Sequence, residues 1–209
     1  MPESLKEKRI RNFFQRFEAK STEVEAEEKE EEICLEYNQM RLPVEWITDE
    51  FEQEVKDKVK KNFLNAKIRE ATKDDLPSVL TIHNRAWLTA NEPFRPIELE
   101  SLEKIYEYPE TEILIAKVYG TDGGFIMLDF ENDGKIGVIA GLGVLPRFQR
   151  KGLGTVLGVA AWNYFKKKAV EELRCEVYKD NKASYSFIKS LGFKEYDTKK
   201  YTEDDFRTE

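Results

Sequence analysis

Residues 144–168, VLPRFQRKGLGTVLGVAAWNYFKKK, constrain this chain more than any other stretch. Val144-Leu145 close an apolar run of strand-forming residues, and Pro146 then removes a backbone donor, so pairing cannot continue past it. Gln149-Arg150-Lys151-Gly152-Leu153-Gly154 opens a helix, and the two glycines permit a tight strand-to-helix turn with its N–H groups directed outward. Leu153, Val156, Leu157, Ala160 and Tyr164 recur at helical spacing, while Gly158, Ala160 and Ala161 keep the helix slim enough to lie close on a sheet. The unpaired donors and positive dipole at the helix head suit a diphosphate, and Arg150 and Lys151 supply charge for it. A glycine turn demanded only by packing is the competing reading. The chain has no GxxxxGK[ST], and this turn has no GxGxxG, which sets aside the P-loop and the dinucleotide fingerprint.

The remainder divides in texture near residue 65. Leu5, Ile10, Phe13, Phe14 and Phe17 predict a short amphipathic helix, and a glutamate-rich run follows at 23–32. Ile33, Leu35 and Tyr37 alternate as in a short strand stopped by Pro43; Phe51, Val55, Val59 and Phe63 predict a helix over 48–64. Residues 1–65 are therefore expected to form an extension packed on a main domain at 66–209. In that domain the pattern is strand (66–72), helix from Asp74, helix (97–107), and strands at 112–119, 124–131 and 135–145, the last two joined by Asn132-Asp133-Gly134. A further strand is read near 172–178, with Leu173, Cys175 and Val177 on its core side.

The net charge of -7 and the lack of a long basic run argue against nucleic acid as a partner. No segment approaches 18 apolar residues, so no membrane span is expected. Cys34, Cys175 and the single histidine, His83, give neither a disulfide framework nor a compact metal signature. The expectation is a cytoplasmic protein without a metal.

Val144 through Gly154 resembles the acetyl-coenzyme A loop of the GNAT N-acetyltransferase family: a Val, a Pro two residues on, an aromatic, Arg or Gln, two variable residues, Gly, an aliphatic and Gly. Asn181-Lys182-Ala183 through Leu191-Gly192-Phe193 resembles its second signature, and Ile68-Arg69-Glu70-Ala71 before Asp74 its first strand and helix start. The resemblance covers about residues 66–200. It implies an α/β fold with a twisted, mixed, mostly antiparallel sheet, helices on both faces, and a V-shaped splay between parallel strands near 138–144 and 172–178. It also implies that acetyl-coenzyme A is the cofactor. Its diphosphate would lie on the backbone of Gln149, Arg150, Lys151, Gly152, Leu153 and Gly154, and its pantetheine arm between Leu142, Gly143, Val144 and Asn181.

The sequence departs from the family at the proton-transfer positions. The usual tyrosine, four residues before the Gly of the Gly-Phe pair, is Ile188, and Tyr185 one turn earlier is its candidate substitute. The usual glutamate positions hold Ala140 and Gly141, which leaves Glu131, Asp129, Glu176 and His83 as candidate bases. In the family the turn between the first two helices often borders the acceptor, so Asn84, Trp87, Asn91, Glu92, Phe94 and Arg95 become pocket-wall candidates along with Glu176. An amine acetyltransferase and an acyl-coenzyme A-binding module without catalysis both remain open. Residues 1–65 are a candidate surface for a second copy or a protein partner.

Overall fold

The computed structural model describes residues 34–61, 64–93, 96–202 and 205. The helix expected near residues 5–17 and the glutamate run lie outside them, as do Phe63, Phe94 and Arg95.

The described elements are β1 (Leu35–Pro43), α1 (Asp49–Lys60), β2 (Lys67–Glu70), α2 (Leu76–Trp87), α3 (Leu99–Tyr106), β3 (Glu112–Val118), β4 (Thr121–Glu131), β5 (Ile136–Val144), α4 (Leu153–Lys167), β6 (Glu172–Tyr178), α5 (Lys182–Ser190) and β7 (Lys194–Tyr201). Local chemistry sets several boundaries. Thr48 Oγ1 accepts from Phe51 N–H at 3.2 Å and starts α1. Thr72 and Asp75 cap each other reciprocally just before α2. Asn132, Asp133 and Gly134 all take positive φ in the hairpin between β4 and β5, as the Asn-Asp-Gly turn predicts.

Seven strands form one mixed sheet in the order β2-β3-β4-β5-β6-β1-β7. Every neighbouring pair is antiparallel except β5 and β6. Helix α4 covers one face: a Cβ on Gly137 would lie 2.6 Å from the Phe165 ring, and one on Gly124 3.0 Å from Leu157. Phe125, the next residue of β4, points the other way. There it meets His83 of α2, ring centroids 6.2 Å apart, so α2 covers the opposite face.

The parallel pair is short. Ile136, Gly137 and Val138 pair with Glu172, Leu173 and Arg174, and the register ends there. Beyond that point β5 follows β4 as far as Val144, while β6 follows β1 as far as Tyr178. The facing edges of β5 and β6 thus part into the expected V, open toward their C-terminal ends. An extra residue, Ala140, bulges from β5 between the pairs Met127↔Gly141 and Leu128↔Ile139, directly above the closed end.

Within residues 34–61, α1 packs against α4, while β1 is built into the sheet itself. β1 is an interior strand between β6 and β7, with Tyr37 1% and Met40 0% exposed. Alternation identifies a strand but carries no information about its neighbours, which is why the sequence shows β1 without showing its place.

Candidate active site

Three elements meet at the open end of the V. The first is the turn from β5 into α4. Gly152 caps α4 at φ +83°, with no side chain to satisfy the helix head. The first bond of the helix runs from Val156 N–H to Gly152 O at 3.1 Å, leaving the N–H groups of Leu153, Gly154 and Thr155 outside its own ladder. Arg150 takes φ +57°, and it and Lys151 are exposed beside this head. Gln149 is placed differently from the rest of the loop. Its N–H is bonded to Pro146 O at 3.2 Å, and its side chain donates to Val144 O at 2.9 Å and Thr89 Oγ1 at 3.1 Å. It pins the turn to the end of β5 and to the segment after α2. Gly154 serves packing as well, since a Cβ there would lie 3.2 Å from the Phe187 ring of α5.

The second element is β5 itself. Leu142, Gly143 and Val144 form one wall of the V, and Gly143 is held small by Phe125, whose ring would lie 2.5 Å from a Cβ at that position. Opposite stands the third element, β6 with the head of α5. Asn181 is 4% exposed and caps α5, its Oδ1 accepting from Ser184 N–H at 3.1 Å.

The loop after α2 lies across the open end. Asn91 Nδ2 donates to Asp180 O at 2.9 Å, Tyr37 Oη donates to Glu92 Oε1 at 3.3 Å, and Asn181 Nδ2 approaches Glu92 Oε2 at 3.5 Å. A cleft of about 550 Å³ opens here, lined by Asn91, Glu92, Pro93, Tyr178, Asp180 and Lys182 among others.

Register fixes where the candidate proton acceptors stand. Val138 is level with Arg174, so two residues further along both strands Glu176 is level with the Ala140 bulge. Alternation puts Arg174, Glu176 and Tyr178 on the face that α2 also occupies. Tyr201 Oη lies 2.9 Å and 3.0 Å from the two carboxylate oxygens of Glu176, and Tyr37 packs edge-on against both Tyr178 and Tyr201 at 5.5 Å and 5.6 Å. A carboxylate, oriented by a phenol and walled by rings, therefore borders the V at the bulge. Burial raises the Tyr178 hydroxyl above its ordinary pKa, so it stays protonated.

The other candidates fall elsewhere. Asp129 pairs with Val138 and Glu131 with Ile136, which places them at and below the closed end. His83 is 2% exposed and stacks on Trp87 with centroids 4.3 Å apart, a packed position beneath the loop. Asn84 accepts Ile97 N–H at 3.3 Å and so holds the approach to α3. Tyr185 Oη donates to Glu195 Oε2 at 2.8 Å, and that contact raises its pKa. Glu195 belongs to β7, which β1 separates from β6, so the hydroxyl is directed away from the V. The tyrosines 37, 178 and 201 were not foreseen. Their signal lay in the strand alternation around Leu35 and Cys175, but only the sheet order brings them together. Among the described residues no cluster of His, Cys, Asp and Glu could hold a metal ion.

A splayed parallel pair beside an uncapped, glycine-turned helix head is the arrangement of an acyl-coenzyme A-dependent transferase. The chain matches the acetyltransferase (GNAT) family over residues 76–193 and belongs to it. Mycothiol acetyltransferase of Renibacterium salmoninarum is 39% identical over 62 residues, 30% of this chain; the match spans only 18% of that protein's length. The ribosomal-protein-S18-alanine N-acetyltransferase of Escherichia coli superposes with a TM-score of 0.55 at 23% identity, covering 63% of this chain and 79% of that one. The aminoglycoside N-acetyltransferase AAC(6')-Iy, solved with coenzyme A, gives 0.54 at 21% identity over 64% and 90%. At these identities the two structures share the fold with this chain.

Proposed function

We propose that the chain transfers an acetyl group from acetyl-coenzyme A to a primary amine by direct attack in a ternary complex, and that it works in the cytoplasm. The observation that carries this reading is the coincidence, at one end of the sheet, of strand edges with no strand between them, an uncapped helix head, and the Glu176 carboxylate. Edges without a strand partner suit the amides of a pantetheine arm, and the head of α4 suits a diphosphate. AAC(6')-Iy, with its coenzyme A, supports the same cofactor here.

Bound acetyl-coenzyme A supplies an acyl group activated as a thioester. The chain supplies position and proton handling. Leu142 to Val144 hold the arm along β5, and a backbone N–H of that stretch polarises the thioester oxygen. Glu176, fixed by Tyr201, receives the proton that the amine must shed, directly or through water. Holding amine and thioester together provides most of the acceleration.

The test is thiol release from acetyl-coenzyme A against a panel of amines, polyamines, amino acids and peptides, with mass detection of the N-acetyl product. Release that requires an amine establishes transfer. Cofactor binding without release for any amine would leave the module without catalysis, and the proposal would fail.

A further inference from the structure

Below Glu176 the α2 face of β6, β1 and β7 carries a second group of side chains that the transfer chemistry does not use. Arg41 of β1 stands opposite Arg174 of β6 and Lys194 of β7, and directly opposed residues share a face. The Arg41 guanidinium lies 5.9 Å from the Trp46 ring and 5.2 Å from the Tyr196 ring. Lys194 Nζ lies 4.3 Å from the Trp46 ring, and the Arg174 guanidinium 5.9 Å from that of Tyr196. A bulge in β7, where Gln39 pairs with Asp197 but Met40 with Glu195, leaves Tyr196 out of the ladder and lets it reach both arginines.

Carboxylates border this group, with Glu172, Asp197 and Glu176 acting through space on Tyr196. Arg174 gives its Nε to Glu172 at 2.6 Å, and Glu131 acts on it through space. Among the described residues neither Arg41 nor Lys194 is paired with a carboxylate. Ring contacts steady a guanidinium but leave its five N–H donors available. Trp46 is 39% and Tyr196 42% exposed, so this floor is open to a ligand. An ordered, partly desolvated guanidinium between two rings is built to take a planar anion in two parallel hydrogen bonds.

Resting on the transferase reading, we infer that the acceptor is an amine bearing its own anionic group, a carboxylate or phosphate, held by Arg41 with Arg174 and Lys194 beside it. Two residues along β6 and one strand spacing separate Arg41 from Glu176, so the anion sits ~7–9 Å from the reacting amine. The acceptor is bound at two poles, its ammonium end near Glu176 and its anionic end over β1.

Two probes that differ only in the anion test this: ε-aminocaproate and hexylamine. Calorimetric binding to the intact chain should favour ε-aminocaproate by ~10–100-fold, the range of one charge-assisted pair. Arg41→Gln should abolish that preference and leave hexylamine unchanged, while Arg41→Lys should keep part of it; thermal unfolding of each variant verifies the fold. Inorganic phosphate should compete with ε-aminocaproate. Equal affinity for the two probes, a preference that survives Arg41→Gln, or phosphate that binds without competing would overturn the inference. Acetylation of the same pair separates the two readings. If the anion preference holds but no amine is acetylated, the transferase reading fails and the anion site stands. Equal acetylation of both probes, untouched by Arg41→Gln, gives the reverse.

Discussion

Glu176 is the residue on which the proposed chemistry turns. Its neighbours on β6, Cys175 and Val177, are buried at 4% each, and strict alternation sends Glu176 to the other face, where Tyr201 orients it. Glu176→Gln keeps the shape and loses the proton acceptor. Turnover should fall ~100-fold near neutrality, and the deficit should shrink at high pH as more of the amine is already deprotonated. A uniform deficit across the pH–rate profile would assign Glu176 to binding alone. Asp75 offers a second test at this scale. Both its oxygens meet Arg69 at 2.6 Å and Thr72 adds further donors, which holds the carboxyl well below the usual range near ~3.9. A depressed folded-state pKa stabilises the fold fully above the unfolded value, and that contribution is lost as pH falls. Urea midpoints of the native chain and Asp75→Asn should therefore differ most at neutral pH, and the gap should narrow progressively as pH falls below the unfolded carboxyl value near ~3.9. A gap that does not change with pH would contradict this pairing. Of the site residues, the glycines at 152 and 154 and the capping Asn181 could be read from local sequence, because each obeys a rule about its own turn or helix. The three tyrosines could not, because their meeting depends on which strands are neighbours.

At the scale of elements the splay follows from competing partners. β5 stays with β4 and β6 with β1, so the pair between them ends after three residues. The strand-turn-helix of β5 and α4 was legible because Pro146, Gly152 and Gly154 fix it locally. The orientation of α5 was not. Its sequence marks a helix between Asn181 and Gly192, but helical spacing alone does not say which side faces the V, and Tyr185 is in fact turned toward Glu195 of β7. Tyr185→Phe should therefore change turnover less than ~3-fold, far short of the ~100-fold scale of a lost proton-transfer group. A loss on that larger scale, with unaltered cofactor binding, would show that α5 or its tyrosine reaches the V during the reaction.

The whole molecule depends on a strand from the segment that sequence texture sets apart. β1 pairs with β6 from Tyr37 to Pro43 and with β7 from Leu35 to Arg41, and it brings Tyr37, Met40 and Leu42 into the protein. A chain beginning at residue 66 would leave β7 without its neighbour and β6 with a bare edge. It should lack a cooperative unfolding transition by circular dichroism in urea. A cooperative transition matching the full chain would contradict the interior position of β1. The fold class was legible from strand and helix periods along residues 66–200; the insertion of β1 was not, since long-range order in a sheet leaves no local mark. The central claim is that the V and the head of α4 hold acetyl-coenzyme A, and calorimetric titration of the full chain with that molecule tests it most directly. The prediction is saturable one-to-one binding that inorganic pyrophosphate weakens by competing at the helix head. No binding up to millimolar concentration, or binding indifferent to pyrophosphate, would contradict it.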